Sequence, residues 1–165
     1  MIDFVGIENT LKLLEQKYDL CLDTQLSILY SKLSVLELCG WMETSIDIIL
    51  YEYIETNILS LECKDKIKKI VKKNYGFDYD TNLFPLLCSV LGVNNLENIL
   101  DVIPISDLQN LKNITNAYQV ERNKAAHTDT PEGTTRTYRA PSCVLRDFCL
   151  IKSTFSLLER EIQNL

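Results

Sequence analysis

Apolar residues recur at intervals of three and four along most of the chain, which is the spacing of one face of an α-helix. The first such segment runs from residue 4 to about residue 18, with Asp3 as its predicted N-cap. The second, from Asp23 to about Leu61, is the longest. It predicts one long helix, bent near Gly40, where a missing side chain would let a neighbouring backbone approach. We expect this helix to be the spine against which the others pack.

Shorter segments occupy residues 63–105. Gly76 is the predicted C-terminal stop of the first of them, Asn94 or Asn95 is the predicted N-cap of the last, and Pro104 then breaks the chain. The predicted elements are a basic helix at 63–74, a loop at 77–82, and short helices at 84–91 and 96–103. We interpret this region as a short-helix insertion or lid.

Two further helices are predicted after this region. Ser106 and Gln109 fit a capping box at the start of a helix that continues to His127. A stretch rich in loop formers follows, and the last helix runs from about residue 143 to residue 161. Convincing strand alternation is missing from the sequence. The predicted fold class is therefore all-α, a helical bundle that forms a single domain over residues 1–165.

Charge and composition narrow the function classes. The formal net charge of −6 disfavours a broad, non-specific nucleic-acid binder, because neutralising phosphates requires clustered cations. A small basic cleft remains compatible with it. Six lysines between residues 64 and 73 form a local cluster, for which a solvated helix face is favoured over a phosphate-binding face.

The sequence predicts a cytoplasmic protein without a metal or another cofactor. It lacks a secretory leader and an apolar run of membrane-spanning length. Six cysteines occur without a C-x-x-C pair, and a single histidine makes a zinc site improbable. We therefore interpret the cysteines as reduced core residues.

The candidate chemistry lies near residues 122–127. Asn123 and His127, the only histidine, would lie one turn apart on a helix, beside Arg122. An imidazole can transfer protons near neutral pH, and a guanidinium can neutralise the charge of a phosphorane-like transition state. The alternative is a surface role, with His127 at the helix C-terminus and Arg122 paired to Glu121 or Asp129.

The sequence Arg122-Asn123-x-x-x-His127 resembles the R-x4-H signature of the HEPN superfamily, small helical domains of which many are metal-independent ribonucleases. Residues 33–47 resemble the acid-bearing helix of HEPN families from prokaryotic defence loci. Some HEPN toxins carry a tyrosine, modified by a partner nucleotidyltransferase, where this chain has Asp129. The resemblance implies RNA cleavage by a homodimer whose two motifs face one another, with RNA as substrate and an antitoxin or defence-system protein as partner.

The resemblance also implies roles for individual residues. His127 is the expected general acid/base, Arg122 the transition-state clamp and Asn123 the orienting group, with one histidine supplied by each subunit. The expected supporting acids are Glu37 and Asp47. The expected RNA contacts are Lys124, Arg136 and Arg139. The alternative function is a non-catalytic HEPN-like module for dimerisation, partner binding or nucleotide binding.

Overall fold

The computed structural model describes residues 1–126 and 137–165, and all regular structure in this part of the chain is helical. The predicted all-α fold class is thereby confirmed. The described residues form seven α-helices: α1 (Phe4–Asp19), α2 (Thr24–Asn57), α3 (Leu61–Lys72), α4 (Phe84–Leu91), α5 (Val93–Val102), α6 (Ile105–Ala126) and α7 (Pro141–Gln163). A π-helical turn at Tyr79–Leu83 lies where a loop was predicted, so that prediction was wrong there.

The first two helices begin at aspartate caps. A side-chain oxygen of Asp3 accepts a hydrogen bond from Gly6 N at 2.7 Å, as predicted. Asp23 caps α2 in the same way. α2 ends at Asn57, earlier than expected, because the chain becomes extended and Ser60 then caps α3.

Gly40 lies within α2 as an ordinary helical residue. A Cβ atom placed on it would meet nothing within 4 Å. The expectation that a neighbouring backbone approaches at this point is therefore wrong for a single copy of the chain.

Two predicted helix ends also differ. α3 ends at Lys72, and Gly76 does not have a positive φ. α5 begins directly after Gly92, whose φ of 81° both ends α4 and starts α5, so Asn94 and Asn95 lie inside the helix. Gly92 is thus both the C-cap of α4 and the N-cap of α5, so neither asparagine is at the N-cap.

The predicted capping box of α6 is also not formed. α6 begins at Ile105, and the carbonyl of Pro104 accepts hydrogen bonds from the amides of residues 107 and 108. Ser106 therefore lies within the first turn. The Gln109 side chain donates to Asn113 on the next turn instead of reaching back to the N-cap.

The core is centred on Trp41 of α2. Its ring packs against Phe4 of α1 and against Phe148 and Phe155 of α7, with centroid separations of 5.8, 5.2 and 4.8 Å. Its Nε1 donates a hydrogen bond to the carbonyl of Asp3 at 3.2 Å. Buried side chains of α3, α4 and α5 belong to the same hydrophobic cluster. The short helices are thus packed into the core that α1, α2 and α7 form.

All six cysteines are free thiols, but only Cys39 is buried. Cys63 and Cys149 are exposed, so the interpretation of the cysteines as core residues was wrong for these two. Within residues 1–126 and 137–165, each helix alone is too short or too polar to cross a membrane, and only the pair Tyr79–Leu91 and Val93–Val102, bent by 119°, has the length and composition together.

Candidate functional site

Arg122 lies near the C-terminal end of α6, beside the middle of α2. Its Nη2 atom is 3.6 Å from Oε1 of Glu43, and about a third of each side chain is exposed (37% and 33%). At that separation the two groups form an ion pair but not a hydrogen bond. The partner of Arg122 in the described structure is thus neither Glu121, which pairs with Lys124, nor any residue near it in sequence.

A cavity of about 240 Å³ opens beside this ion pair. It lies where the end of α3 and the segment after it approach α2 and α6. Two carboxylates, two cations, an amide and two phenols contribute to its wall. The lining residues are Glu43, Asp47, Tyr51, Lys72, Asn74, Tyr75, Gly76 and Arg122. The cavity therefore offers both donors and acceptors to a polar ligand, and the predicted supporting acid Asp47 lines it together with Arg122.

Burial changes the protonation of groups near this cavity. The pKa of Asp47 is raised, first because burial disfavours the carboxylate and second because Glu43 lies one helical turn away. Burial likewise raises the pKa of the Cys39 thiol to about 12, and the charge of Glu43 adds to the effect. Cys39 is therefore a neutral thiol at physiological pH, and its Sγ lies 3.9 Å from the carbonyl of Tyr118.

Glu43 has one oxygen with an incomplete set of partners. Its Oε1 is shielded from solvent and accepts no hydrogen bond from the described residues, although it faces Arg122. Buried carboxylate oxygens normally accept hydrogen bonds, and removing one from water without a donor is costly. A hydrogen-bond donor of a ligand in the cavity would satisfy this carboxylate oxygen.

Glu37, the other predicted supporting acid, lies elsewhere. It is exposed and lines a groove between α1 and α2. Six residues separate it from Glu43, which at 3.6 residues per turn places the two side chains about 120° apart around α2. Glu43, which the sequence shows in the same acid-bearing stretch one turn before Asp47, is the acid that reaches Arg122.

The other motif residues are only partly described. Asn123 is exposed on α6, and Lys124, also exposed, forms an ion pair with Glu121 at 3.5 Å. The predicted acid/base His127 and the predicted RNA contact Arg136 lie outside the described residues.

Arg139 belongs to a second arginine–carboxylate cluster, which includes Tyr118 of α6. Its Nη1 donates to Oδ2 of Asp147 at 3.1 Å, and its guanidinium lies 5.0 Å from the ring centre of Tyr118. The Tyr118 hydroxyl donates to the same oxygen at 3.1 Å, and Arg146 binds the other one at 3.2 Å. Arg139, which was expected to contact RNA, is therefore bound to a buried carboxylate.

Sequence reasoning did not find this second cluster. Tyr118 is far in sequence from the other members, and the buried Asp147 lies on a face of α7 whose buried residues are mostly apolar. Burial is the main reason that the pKa of Tyr118 is raised, followed by the neighbouring Asp147 charge. No spacing pattern connects residues in positions 118, 139 and 147.

Three of the six lysines in the cluster form ion pairs within the protein. Lys64 and Lys68 both bind the carboxylate of Glu55, and their hydrogen bonds lower the pKa of Glu55 to about 2. Lys66 pairs with Glu62 at 2.7 Å. Lys72, by contrast, lines the cavity of Arg122. The cluster therefore contributes one side chain to the candidate site.

Among residues 1–126 and 137–165, no group of three or more histidine, cysteine, aspartate or glutamate side chains is arranged to hold a metal ion. Comparison of the chain with protein-family models, with curated proteins and with solved structures gave no match.

Proposed function

We propose that this chain is a metal-independent endoribonuclease of HEPN type that acts as a homodimer in a toxin or phage-defence setting. The observation that carries the proposal is the position of Arg122. Arg122 lines a polar cavity, and its ion pair among the described residues is the long one to Glu43. It precedes the only histidine of the sequence by five residues. A cation held in this way can turn towards a phosphate.

The proposed reaction cleaves RNA by transfer to the neighbouring hydroxyl. The 2′-oxygen attacks phosphorus and loses its proton to a base, while the bond from phosphorus to the 5′-oxygen breaks and that oxygen receives a proton. The products are a 2′,3′-cyclic phosphate and a free 5′-hydroxyl. His127 of one subunit takes the first proton and His127 of the second copy supplies the other, because one imidazole does not perform both transfers in a single step.

The remaining residues bind and orient. Arg122 neutralises the developing charge on the phosphoryl oxygens, with Lys72, which lines the same cavity, as a second cation. Asn123 orients the imidazole or the phosphate. Glu43 holds Arg122, and Asp47, which lines the same cavity, is the supporting acid.

Incubation of the purified protein with single-stranded RNA in EDTA tests the proposal. We expect cleavage that leaves cyclic phosphate ends, and loss of that cleavage in His127→Ala. Replacing Arg122 by alanine should lower the rate by about 10²–10³-fold, the usual effect of removing one donor to a developing oxyanion. Arg160→Ala, an exposed arginine paired with its neighbour Glu161, is the matched control and should retain the wild-type rate. Undiminished cleavage by His127→Ala would contradict the proposal.

A non-catalytic HEPN-like module is the second candidate, and the ion pair itself favours it. If the pair between Arg122 and Glu43 only fastens α6 to α2, the cavity binds a polar partner group or a nucleotide without cleaving RNA. In that case the wild-type protein leaves RNA intact in EDTA, while a nucleotide raises its melting temperature in proportion to the logarithm of ligand concentration.

A further inference from the structure

The first half of α2 carries an exposed row of leucines. Leu26, Leu29 and Leu33 are 44, 56 and 42% exposed, and Leu36 continues the row partly buried. Their spacing of three, four and three residues is that of the a and d positions of a heptad, the pattern with which two helices pack against each other. A leucine at each of these positions is not required by the core of one copy.

Gly40 occupies the next a position of the same row. A helix with glycine at an interior position is less stable than the same helix with alanine there. Glycine is therefore expected inside a helix where a side chain would not fit. Within one copy of the chain nothing needs that space, since a Cβ atom on Gly40 would have no neighbour within 4 Å. The glycine is explained if a second chain approaches α2 at this point.

The row also borders a groove that has room for side chains from another helix. Leu33, Leu36 and Gly40 form its α2 wall, and residues 3–10 of α1 form the other. The volume of the groove is about 670 Å³. A helix laid along the leucine row would therefore contact α1 as well as α2.

Two charged residues beside the row indicate which helix packs against it and whether that helix runs parallel or antiparallel to α2. In the heptad numbering Lys32 is at a g position and Glu37 at the following e position, and neither makes an ion pair or hydrogen bond within the described residues. In a parallel pair of identical helices, a g residue of one faces the e residue five positions later on the other. Lys32 of each copy would then face Glu37 of the second copy. In an antiparallel pair, g faces g and e faces e, so neither lysine would meet a glutamate.

From these observations we infer that two copies of this chain pair through α2 in a parallel, two-fold arrangement along the row from Leu26 to Gly40. We call this row the α2 seam. The interface rests on the exposed leucines, Gly40 and the two flanking charges.

The consequence for the site rests on the proposed function. Glu43 is the next d position after the α2 seam, so a parallel pair places both Glu43–Arg122 ion pairs at the same end of the dimer. An antiparallel pair centred on Leu33 would separate the two Glu43 residues by about 30 Å along the helices, given a rise of 1.5 Å per residue. Of these two arrangements, the parallel one brings the two motifs to one substrate.

The mass of the protein in solution tests the interface. We expect sedimentation equilibrium at micromolar concentrations to give twice the chain mass of 19.0 kDa. Leu33→Glu should weaken dimerisation at least about 30-fold, because it places two unpaired charges in the centre of the seam. Leu150→Glu on α7 is the matched control, since Leu150 has the same exposure of 42%, and it should leave the dimer unchanged. Circular dichroism verifies that both variants are folded.

A second variant separates stability from association. Gly40→Ala should raise the melting temperature of the monomer, because alanine favours the helix, and should weaken the dimer by crowding the seam. Equal dimer dissociation constants for Gly40→Ala and the wild type would overturn the role of Gly40 and with it the close approach of the helices.

Charge exchange tests the direction. At low salt, Lys32→Glu and Glu37→Lys should each weaken the dimer by about fivefold, and the double variant should restore it. Failure of the double variant to restore the dimer would overturn the parallel arrangement.

The outcomes distinguish the interface from the activity. The α2 seam would be overturned if the wild-type protein stayed monomeric at 100 times the micromolar concentrations given above. It would also be overturned if the Leu33→Glu variant dimerised as well as the wild type. Both outcomes hold whether or not RNA is cleaved. A monomer of this kind that binds lipid vesicles or another protein through the leucines would assign the row to that occupant instead. A dimer that depends on Leu33 but does not cleave RNA would support the seam and contradict the proposed ribonuclease.

Discussion

Two arginine–carboxylate pairs involve or contact residues of α6, and they differ in nearly every physical respect. Arg139 and Asp147 are 3.1 Å apart, and the Asp147 side chain is almost fully buried with further hydrogen bonds from Tyr118 and Arg146. Arg122 and Glu43 are 3.6 Å apart, both are partly exposed, and the carboxylate oxygen between them accepts no hydrogen bond from the described residues.

The difference indicates what each pair can do. A buried carboxylate with several donors is fixed in place, and removing a donor leaves a charge without compensation. A partly exposed ion pair without hydrogen bonds contributes little to stability and can be opened by a ligand at little cost. The Asp147 cluster therefore has the properties of a structural element, whereas the Arg122 pair has those of a binding site.

The largest expected effect is on Asp147. Asp147→Ala should lower the free energy of unfolding by about 3–5 kcal/mol, because two arginines and a buried hydroxyl lose their common acceptor. Urea denaturation followed by circular dichroism measures this change. Asp101→Ala, at an exposed position of α5, is the control and should change stability by less than about 0.5 kcal/mol. If Asp147→Ala and Asp101→Ala lowered the free energy of unfolding equally, the Asp147 cluster would not be a structural element.

Tyr118→Phe should have the next largest effect. It removes one hydrogen bond to a charged acceptor while keeping the ring beneath Arg139, so we expect a loss of about 1.5–3 kcal/mol in the free energy of unfolding. The same substitution at Tyr75, which is 80% exposed, should leave stability within about 0.5 kcal/mol of the wild type. A neutral result at Tyr118 would indicate that its hydroxyl contributes nothing to the cluster.

Arg122→Ala should change stability by less than about 1 kcal/mol, since its only ion pair among the described residues is partly exposed and too long for a hydrogen bond. The same denaturation experiment on Glu43→Ala should give a similarly small change. A loss at Arg122 as large as that at Asp147 would assign the Arg122 pair to the framework of the fold and favour the non-catalytic candidate.

The smallest effect concerns pH. The folded-state pKa of Asp47 is raised above its ordinary value of 3.8, so the folded chain binds this proton more tightly than the unfolded chain does. The resulting stability is present below pH 3.8 and is lost as the pH rises through the folded pKa. Asp47→Asn removes this loss, so its stability relative to the wild type should increase as the pH rises. A constant difference from pH 3 to 7 would contradict the burial of Asp47, and Asp101→Asn should give such a constant difference.

Periodicity in the sequence predicted the helices well where one residue type sets the boundary. The spacing of Phe4, Ile7, Leu11 and Leu14 and the cap at Asp3 predicted α1, and the apolar run before Gly92 predicted α4. It failed where two signals compete for one boundary. Gly92 starts α5 before either asparagine can cap it, and Pro104 starts α6 before Ser106 can.

The candidate site was predicted only in part for a similar reason. Arg122 and Asp47 could be identified from residue type and local spacing, and the structure places both at one cavity. The sequence did not show which acid of α2 reaches Arg122, because that depends on the rotation of α2 against α6. It also did not show that Arg139 is bound to Asp147, because a pairing across two helices produces no periodic pattern.

The most direct test of the central claim is the rate of RNA cleavage in EDTA by Arg122→Ala, measured on protein whose unfolding transition matches that of the wild type. Under the proposed function we expect a rate about 10²–10³-fold lower with unchanged stability, because Arg122 would then act on the transition state and not on the fold. Cleavage at the wild-type rate by this variant would contradict the assignment of Arg122 as the residue that stabilises the transition state.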